Sequence, residues 1–524
     1  MSEFIDYGDY DFRTVRNSDF VDKSDLLNFL NGKIDTEGKY ICVSRPRRFG
    51  KSVAAKMAYA YYDRSSKSDE LFEGLAITKS PDYKKHLNKY PTIYIDWNRF
   101  AAYKMETIIT EAQKYIVKDL KKSYPDLQEE NSLSAALAEI NEKTGDRFIM
   151  IIDEWDMLVR DEDSPTREEY VNFLRSMFKS NIADKLFLLV YMTGILPIIK
   201  YRTQPALNNF AEYSVLDPDV TDKYYGFTNE EVKTLCTKYK MSFTRMKHAY
   251  DGYIIGKEKS MFNPNSVMKS VMRRSYESFW GKTALYSTIE YYVKYDTEHV
   301  KPLITKMLNG ESVLIDISSF RNDMKDIKDY HDVLTLLAHL GYLSYDPKTK
   351  SVRIPNTEVA NEFRNSLKEC GWGYLSMALN KSFQLLQATI DKDKRYIAKH
   401  IDEYHREATS FLEFNDENSM ACAIKLAYYA AITDYEIFRE LPTGKGFADM
   451  VFVPVAGSVF PAIVVELKWD KSAKGAIDQI KNKEYPQKLR RFSREIVLLG
   501  INYDKDAKDI KYDVEIEGVR IAKK

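Results

Sequence analysis

Apolar and polar positions along the first half of the chain switch between two periods. Tyr40-Ile41-Cys42-Val43-Ser44 is a short apolar run that ends in a basic, proline-containing turn. Gly50 then opens a segment, Lys51 to Tyr62, rich in Ala, Met and Lys. The sequence predicts strand, loop, helix there. Thr92–Asp96, after Pro91, reads as another strand. A helical stretch covers about residues 104–143, with a break near Pro125. Phe148–Ile152 is a continuous apolar run too short for a helix, and it suits a buried parallel strand. Leu186–Thr193 reads the same way. Strands that alternate with helices indicate an α/β sheet with parallel strands.

The pattern changes near Gly226. Phe227–Tyr239 and the segment after it read as helical, and 280–380 is mostly helical. Within it, a helix at His331–Leu340 precedes a hairpin-like stretch from Gly341 to Ile354. That combination is winged-helix-like, or equally a helical linker with one hairpin. A second α/β pattern follows residue 380. It has a helix at 417–432, strands at 435–440, 447–454 and 461–468, a helix at 472–483 and a strand at 495–501. No internal repeat or low-complexity linker interrupts it. The expected units are 1–225, 226–280 as a helical lid, 281–380 and 381–524.

Length and composition agree with several packed units. The chain has 524 residues, 44% hydrophobic and 30% charged. That is globular composition, and the length calls for about three or four cores. Lys+Arg and Asp+Glu both total 78, so the formal net charge is zero. Any nucleic-acid binding must therefore come from a local patch rather than a global basic field. The 38 tyrosines read as packing and surface contact. The four cysteines, Cys42, Cys236, Cys370 and Cys422, form no CxxC pair, which fits a reducing cytosol better than a zinc site or disulfide framework. The N-terminus is acidic and polar, and no apolar run reaches the roughly 18 residues of a membrane span. A soluble, cytoplasmic protein with no membrane partner is expected.

Two motifs carry chemistry in the first pattern. Gly50, Lys51 and Ser52 match the end of the Walker A form GxxxxGK[ST], with Arg45 where its first glycine belongs. Backbone N–H groups and a helix N-terminus cradle phosphate oxygens. Gly50 admits the close approach, Lys51 reaches the β- and γ-phosphates, and the Ser52 hydroxyl can ligate Mg²⁺. About a hundred residues on, the strand Phe148–Ile152 ends in Asp153-Glu154, the Walker B form. There Asp153 holds Mg²⁺ and Glu154 orients or polarises the attacking water. An acidic pair at a strand end also serves as a simple cap. Thr193, at the end of the next strand, is placed either to sense a γ-phosphate or merely to close the strand.

Taken together, these stretches resemble a known family: the AAA-ATPase-like proteins that carry a C-terminal PD-(D/E)xK nuclease-superfamily domain. The matching residues are Val21-Asp22-Lys23-Ser24, Arg45-Pro46-Arg47-Arg48-Phe49-Gly50-Lys51-Ser52, Ile152-Asp153-Glu154-Trp155-Asp156, Thr193-Gly194-Ile195, Tyr250-Asp251-Gly252-Tyr253, Asn263-Pro264, Gly341-Tyr342-Leu343 and Ile354-Pro355-Asn356. The resemblance spans nearly the whole chain. It implies that Arg45 is the usual residue at its loop position, and that the loop from Arg45 to Ser52 binds ATP. Arg47 and Arg48 either approach the phosphates or form a solvated basic turn.

The resemblance also directs attention to Asp449, on the predicted strand from Phe447, and to Glu466 and Lys468 on the next. A PD-(D/E)xK site uses carboxylates to bring Mg²⁺, or Mn²⁺, to a scissile phosphate, and a lysine to stabilise hydroxide or developing charge. Glu466 and Lys468 are two apart, so on a strand they share a face. Gly444-Lys445-Gly446 supplies the preceding turn. Glu417 is the candidate third acid, or a helix-start residue satisfying N–H groups. Gln479 either orients the lysine or substrate, or is an ordinary surface glutamine. Lys481, Lys483, Lys488, Arg490, Arg491 and Arg494, with Tyr485 and Phe492 among them, suit a phosphate backbone or a solvated face. The expected fold is α/β: an N-terminal P-loop, AAA-like parallel sheet, a helical and winged-helix-like middle, and a C-terminal restriction-endonuclease-like domain. The expected function is an ATPase coupled to a DNA-cleaving metal-dependent nuclease, with DNA rather than RNA the expected substrate and homo-oligomers open. The alternatives are a non-cleaving nucleotide switch or scaffold, and a regulator of a protein partner.

Overall fold

A computed structural model of the chain describes residues 4–5, 8–160, 166–198, 200–201, 204–205, 207–280, 297–318, 320, 327, 329–369, 373–408, 417–442, 447–455, 458–483, 489, 492–493, 495–507 and 509–520. The chain divides into two compact units. The first takes Met1–Lys238, Asp251–Arg273 and Leu314–Val352; the second takes Tyr239–Tyr250, Arg274–Val313 and Arg353–Lys524.

The first unit is built on a sheet of five parallel strands: β1 (Tyr40–Ser44), β2 (Thr92–Asp96), β3 (Phe148–Asp153), β4 (Phe187–Gly194) and β5 (Ala211–Tyr213). Their order is β2-β3-β4-β1-β5. Successive side chains leave a strand on opposite faces, and here both faces are covered. Cys42, Ile93, Ile95, Met150, Ile152 and Met192 pack with helices Ile108–Ser123, Leu133–Thr144 and Arg167–Phe178. Ile41, Val43, Ile149, Ile151 and Tyr191 pack on the other side with helices Asp25–Asn31 and Lys51–Tyr62. Burial on two faces is why these strands are apolar without alternation. The order also inserts β4 between β1 and β3, so the loop after β1 and the acids ending β3 flank the end of β4.

Around this sheet the first unit adds an antiparallel trio, Phe227–Thr228, Glu258–Phe262 and Tyr253–Ile255, and helix Pro264–Arg273. Phe227–Thr228 is a short strand next to the helix start, and the expected helix runs from Asn229 to Tyr239. Helix Tyr330–Leu340 is capped by Asp329, whose carboxylate accepts from the His331 and Asp332 N–H groups, and stops at Gly341 with φ +89°. Short strands Ser344–Asp346 and Ser351–Arg353 follow.

The second unit holds a mixed sheet of five strands: β6 (Tyr435–Pro442), β7 (Phe447–Pro454), β8 (Ala462–Trp469), β9 (Glu495–Tyr503) and β10 (Tyr512–Arg520), in that order. Only β8 and β9 run parallel, and helix Ala473–Asn482 makes the crossover between them. Ala476, Ile477 and Ile480 pack that helix on Val464, Ile496 and Leu498. Gly500 is required for this contact, because a Cβ there would lie 2.4 Å from the carbonyl oxygen of Ala473. The expected helix at 417–432 is an α-helix over Glu417–Ala427 and a 3₁₀ turn over Tyr429–Thr433. Among the described residues no helix is long and apolar enough to cross a membrane.

Candidate functional site

The registers Val43↔Thr193 and Ile152↔Met192 bring the ends of β1, β3 and β4 level. The loop Arg45–Gly50 therefore turns over the sheet's C-terminal edge and runs into helix Lys51–Tyr62. Gly50 stands at the helix start with φ +90°. Nothing lies within 4 Å of a Cβ built on it, so conformation rather than crowding favours glycine. Lys51 is buried, and its ammonium donates to the carbonyls of Arg45 (3.0 Å) and Pro46 (2.9 Å). Burial first, then the charge of Arg160, pushes its pKa down to about 7, against the pull of Asp156 and Asp153. Ser52 is half-buried on the first turn.

The loop's other residues divide between scaffold and rim. Arg45 is fully buried, and its guanidinium donates to the carbonyls of Ser44, Tyr213 and Thr221 and to the Thr221 hydroxyl at 2.7–3.1 Å. It also lies 5.2 Å from the centre of the Tyr225 ring. The structure thus turns the Arg45 side chain into the protein, and only its carbonyl faces Lys51. Phe49 is likewise an anchor, edge-on to Tyr253 at 5.0 Å, while its carbonyl accepts from Gly226 N–H. Arg47 and Arg48 are exposed, Arg48 at φ +69°.

Across from the loop, Asp153 is buried and accepts from the Thr193 hydroxyl at 2.5 Å. Glu154 adopts φ +55° and pairs with Arg160. Asp156 is fully buried. It accepts from the Ile195 (3.1 Å) and Leu196 (2.9 Å) N–H groups and from both Nε and Nη2 of Arg160. Gly194 has to be glycine, since a Cβ would lie 2.5 Å from Trp155 and 2.6 Å from Asp156. Asp156 enters the sequence analysis only within the matching stretch Ile152–Asp156, with no role assigned, and Arg160 does not enter it. Their i, i+4 spacing of opposite charges was the available signal.

A cleft of about 700 Å³ opens beside these groups. Gly50, Lys51, Ser52 and Glu154 line its polar end. Phe20, Val21, Phe227, Met268 and Met272 line an apolar end. The motif Val21-Asp22-Lys23-Ser24 is fixed in that wall. Asp22 accepts from Ser24 and Ala76 N–H, and Lys23 pairs with Glu231 at 2.7 Å.

In the second unit, the register Met450↔Val465 places Asp449 opposite Glu466. Asp449 accepts from the Leu467 N–H at 2.7 Å. Glu466 is buried; its Oε1 accepts from Lys468 Nζ at 3.1 Å and from Gln479 Nε2. Its Oε2 is buried with no hydrogen-bond partner among the described residues. Burial, then the Asp449 charge, raises the Glu466 carboxyl to about 7, although Lys468 opposes this. An orphaned buried carboxylate oxygen beside a second acid is the donor set a divalent cation fits. Among the described residues no three carboxylates, histidines or cysteines cluster as metal ligands. Glu417 opens its helix, but its side chain lies outside the described residues. So do Gly444–Gly446, Tyr485, Lys488, Arg490, Arg491 and Arg494, and hence most of the basic cluster.

Comparison with known proteins agrees with this division. Residues 6–203 match the family model described as a predicted AAA-ATPase, and residues 415–513 match that of the PD-(D/E)XK nuclease superfamily. A protein of Azotobacter chroococcum mcd 1, described as an uncharacterised protein in the vnfD 5′ region, is 22% identical over 538 residues. The match covers 95% of this chain and 96% of that one. Among solved structures, the ORC2 protein of Aeropyrum pernix, in ADPNP–ADP complexes, aligns at 10% identity and a TM-score of 0.31, over 70% of this chain and 99% of that chain.

Proposed function

We propose that this chain, which carries an AAA-ATPase-like domain ahead of a PD-(D/E)XK nuclease-superfamily domain, hydrolyses ATP and uses its nucleotide state to govern Mg²⁺-dependent cleavage of DNA. The observation that carries the reading is a buried charge at each site whose partners are left for a ligand to supply or replace. The Lys51 ammonium rests on the carbonyls of its own loop, and Glu466 Oε2 meets no donor.

At the cleft, the N–H groups opening helix Lys51–Tyr62 receive phosphate, and Lys51 exchanges its carbonyls for β- and γ-phosphate oxygens. The apolar end takes the base. Ser52 and Asp153 would hold Mg²⁺, which would supply charge to offset the phosphates. Glu154 takes a proton from water as that water attacks the γ-phosphorus; the bond to the β,γ-bridging oxygen breaks and ADP leaves. Thr193 holds Asp153 in place, Arg47, Arg48 and Phe49 form the rim, and Arg45 and Pro46 shape the loop. At the second site Asp449 and Glu466 would hold Mg²⁺, or Mn²⁺ in its stead, with Glu417 as the third acid, and a metal bound there would supply an activated water. Lys468 stabilises charge on the phosphate, and Gln479 orients Glu466. Residues 1–225 form the ATPase part, 226–280 its lid, 281–380 a winged-helix-like part and 381–524 the nuclease, acting in the cytoplasm.

A non-cleaving nucleotide switch is the second reading. The deciding experiment incubates the full chain with single- and double-stranded DNA and RNA, with and without ATP and Mg²⁺ or Mn²⁺. Metal-dependent DNA cleavage that ATP alters, and that Glu466→Ala and Lys468→Ala each abolish, is the expected result. Cleavage that survives both substitutions removes the nuclease assignment. ATP turnover with no cleavage of any nucleic acid selects the switch.

A further inference from the structure

The turn after β3 contains an ion-pair chain that ATP binding alone does not require. Asp156, fully buried, is fixed to the end of β4 by the Ile195 and Leu196 N–H groups. Arg160 is fixed to Asp156 through two nitrogens, Nε to Oδ2 at 2.9 Å and Nη2 to Oδ1 at 2.8 Å. The same Nη2 grips Glu154 Oε2. Both partners of this last pair are largely shielded, at 21% and 17% exposure. In such a pair the guanidinium N–H occupies the carboxylate lone pair that an attacking water's proton needs.

The cation is also well placed to let go. Glu154 lines the cleft, and the charge of Arg160 is felt at Lys51. A γ-phosphate offers a planar guanidinium more charge and more acceptor oxygens than one carboxylate does. Asp156 would keep the arginine's base anchored while its outer nitrogen changes partner. We propose that Arg160 is a positioning residue that holds Glu154 until a γ-phosphate draws it away, so the base is released only on a loaded triphosphate. This rests on the reading of the cleft as an ATP site.

The test is equilibrium binding of a non-hydrolysable ATP analogue and of ADP, both with Mg²⁺, to the full chain. Wild type, Glu154→Gln, Arg160→Gln and the double variant complete the cycle. Glu154→Gln loosens the hold on Arg160, so the analogue binds about tenfold tighter, the size of one hydrogen bond to a charged group, while ADP, which lacks the γ-phosphate, gains less. In the Arg160→Gln background that gain disappears. Loss of the Glu154 charge alone would tighten the analogue in both backgrounds, and that outcome overturns the proposal. Equal tightening of ADP and analogue overturns it as well. If Arg160→Gln does not fold, Arg160→Lys replaces it: one ammonium cannot bridge Asp156 and Glu154, so the gain must again shrink, and an undiminished gain overturns the idea. A wild type that binds neither nucleotide removes the ATP reading itself, a result distinct from a failed cycle.

Discussion

In the first unit a buried cation is held at the C-terminal edge of a parallel sheet, and in the second a buried carboxyl is held on one strand of a parallel pair. Lys51 and Glu466 are each pushed toward neutrality, mainly by burial, and both reach about 7 from opposite sides. The neighbours differ too. Lys51 rests on two backbone carbonyls, so its loop is preformed around a positive charge. Glu466 has one oxygen fully engaged by Lys468 and Gln479 and the other without a partner. The difference teaches that one kind of strain, a desolvated charge, can be built for ligands of opposite sign.

The largest expected effects break the comparison at its two centres. Lys51→Ala should weaken ATP binding by about two to three orders of magnitude, as loss of a desolvated contact to phosphate does. Metal binding at Asp449 and Glu466 should be untouched. Glu466→Ala should lower cleavage by a similar or larger factor and leave ATP affinity unchanged. Calorimetric titration of each variant with ATP and with Mn²⁺ reads the affinities, and a metal-dependent DNA-cleavage assay reads the activity. If Lys51→Ala binds nucleotide normally, the assignment of the loop is wrong.

A smaller effect separates how the two edges are packed. Gly194 and Gly500 each lie where a Cβ has no room, but against different neighbours. At Gly194 the obstacle is the side chains of Trp155 and Asp156; at Gly500 it is the backbone carbonyl of Ala473. Trp155 and Asp156 can shift only by disturbing their own packing and hydrogen bonds, whereas the Ala473 carbonyl can shift only with its helix. Gly194→Ala should cost about 1–2 kcal/mol, and Gly500→Ala about 3 kcal/mol or more. Thermal unfolding of the two variants should show the second transition falling further. Equal shifts would mean that the crossover helix moves as easily as the tryptophan.

Much of this was legible in the sequence. Lys51–Tyr62 and Thr92–Asp96 were bounded correctly because glycine, proline and apolar periodicity mark their ends. Strand pairing was not legible: nothing local tells that β4 lies between β1 and β3, or that the short β5 covers β1. Asp449, Glu466 and Lys468 could be proposed as a set, and the register places Asp449 opposite Glu466. The inward turn of Arg45 was not legible, because its acceptors, Tyr213 and Thr221, lie far along the chain. The same holds for Asp156, whose partners include the Ile195 and Leu196 N–H groups.

The finest test uses pH, where the two sites should respond with opposite sign. Free Lys51 loses its proton near pH 7, whereas a bound phosphate favours the ammonium. Between about 7 and the ordinary lysine range the complex then holds a proton that the free protein has lost. Nucleotide affinity should fall as pH rises, by up to about tenfold per unit, with proton uptake on binding. Glu466 behaves in reverse. Below about 7 its carboxyl is protonated, and a divalent cation must displace that proton. Metal affinity should rise toward pH 7 and level off above it, with proton release. Stability follows the same logic. The raised Glu466 contributes stability that is fully present below the ordinary glutamate range and is lost progressively as pH rises from there through about 7. Glu466→Gln should therefore stabilise the metal-free protein at pH 8, on the order of 1–3 kcal/mol. The lowered Lys51 works the other way, since the unfolded chain holds the proton and stability rises with pH above about 7. Titrations in two buffers of different ionisation enthalpy, at pH 8 for nucleotide and pH 6 for Mn²⁺, read the proton counts directly. Uptake at both sites, or release at both, would mean that burial does not poise the two charges in opposite directions.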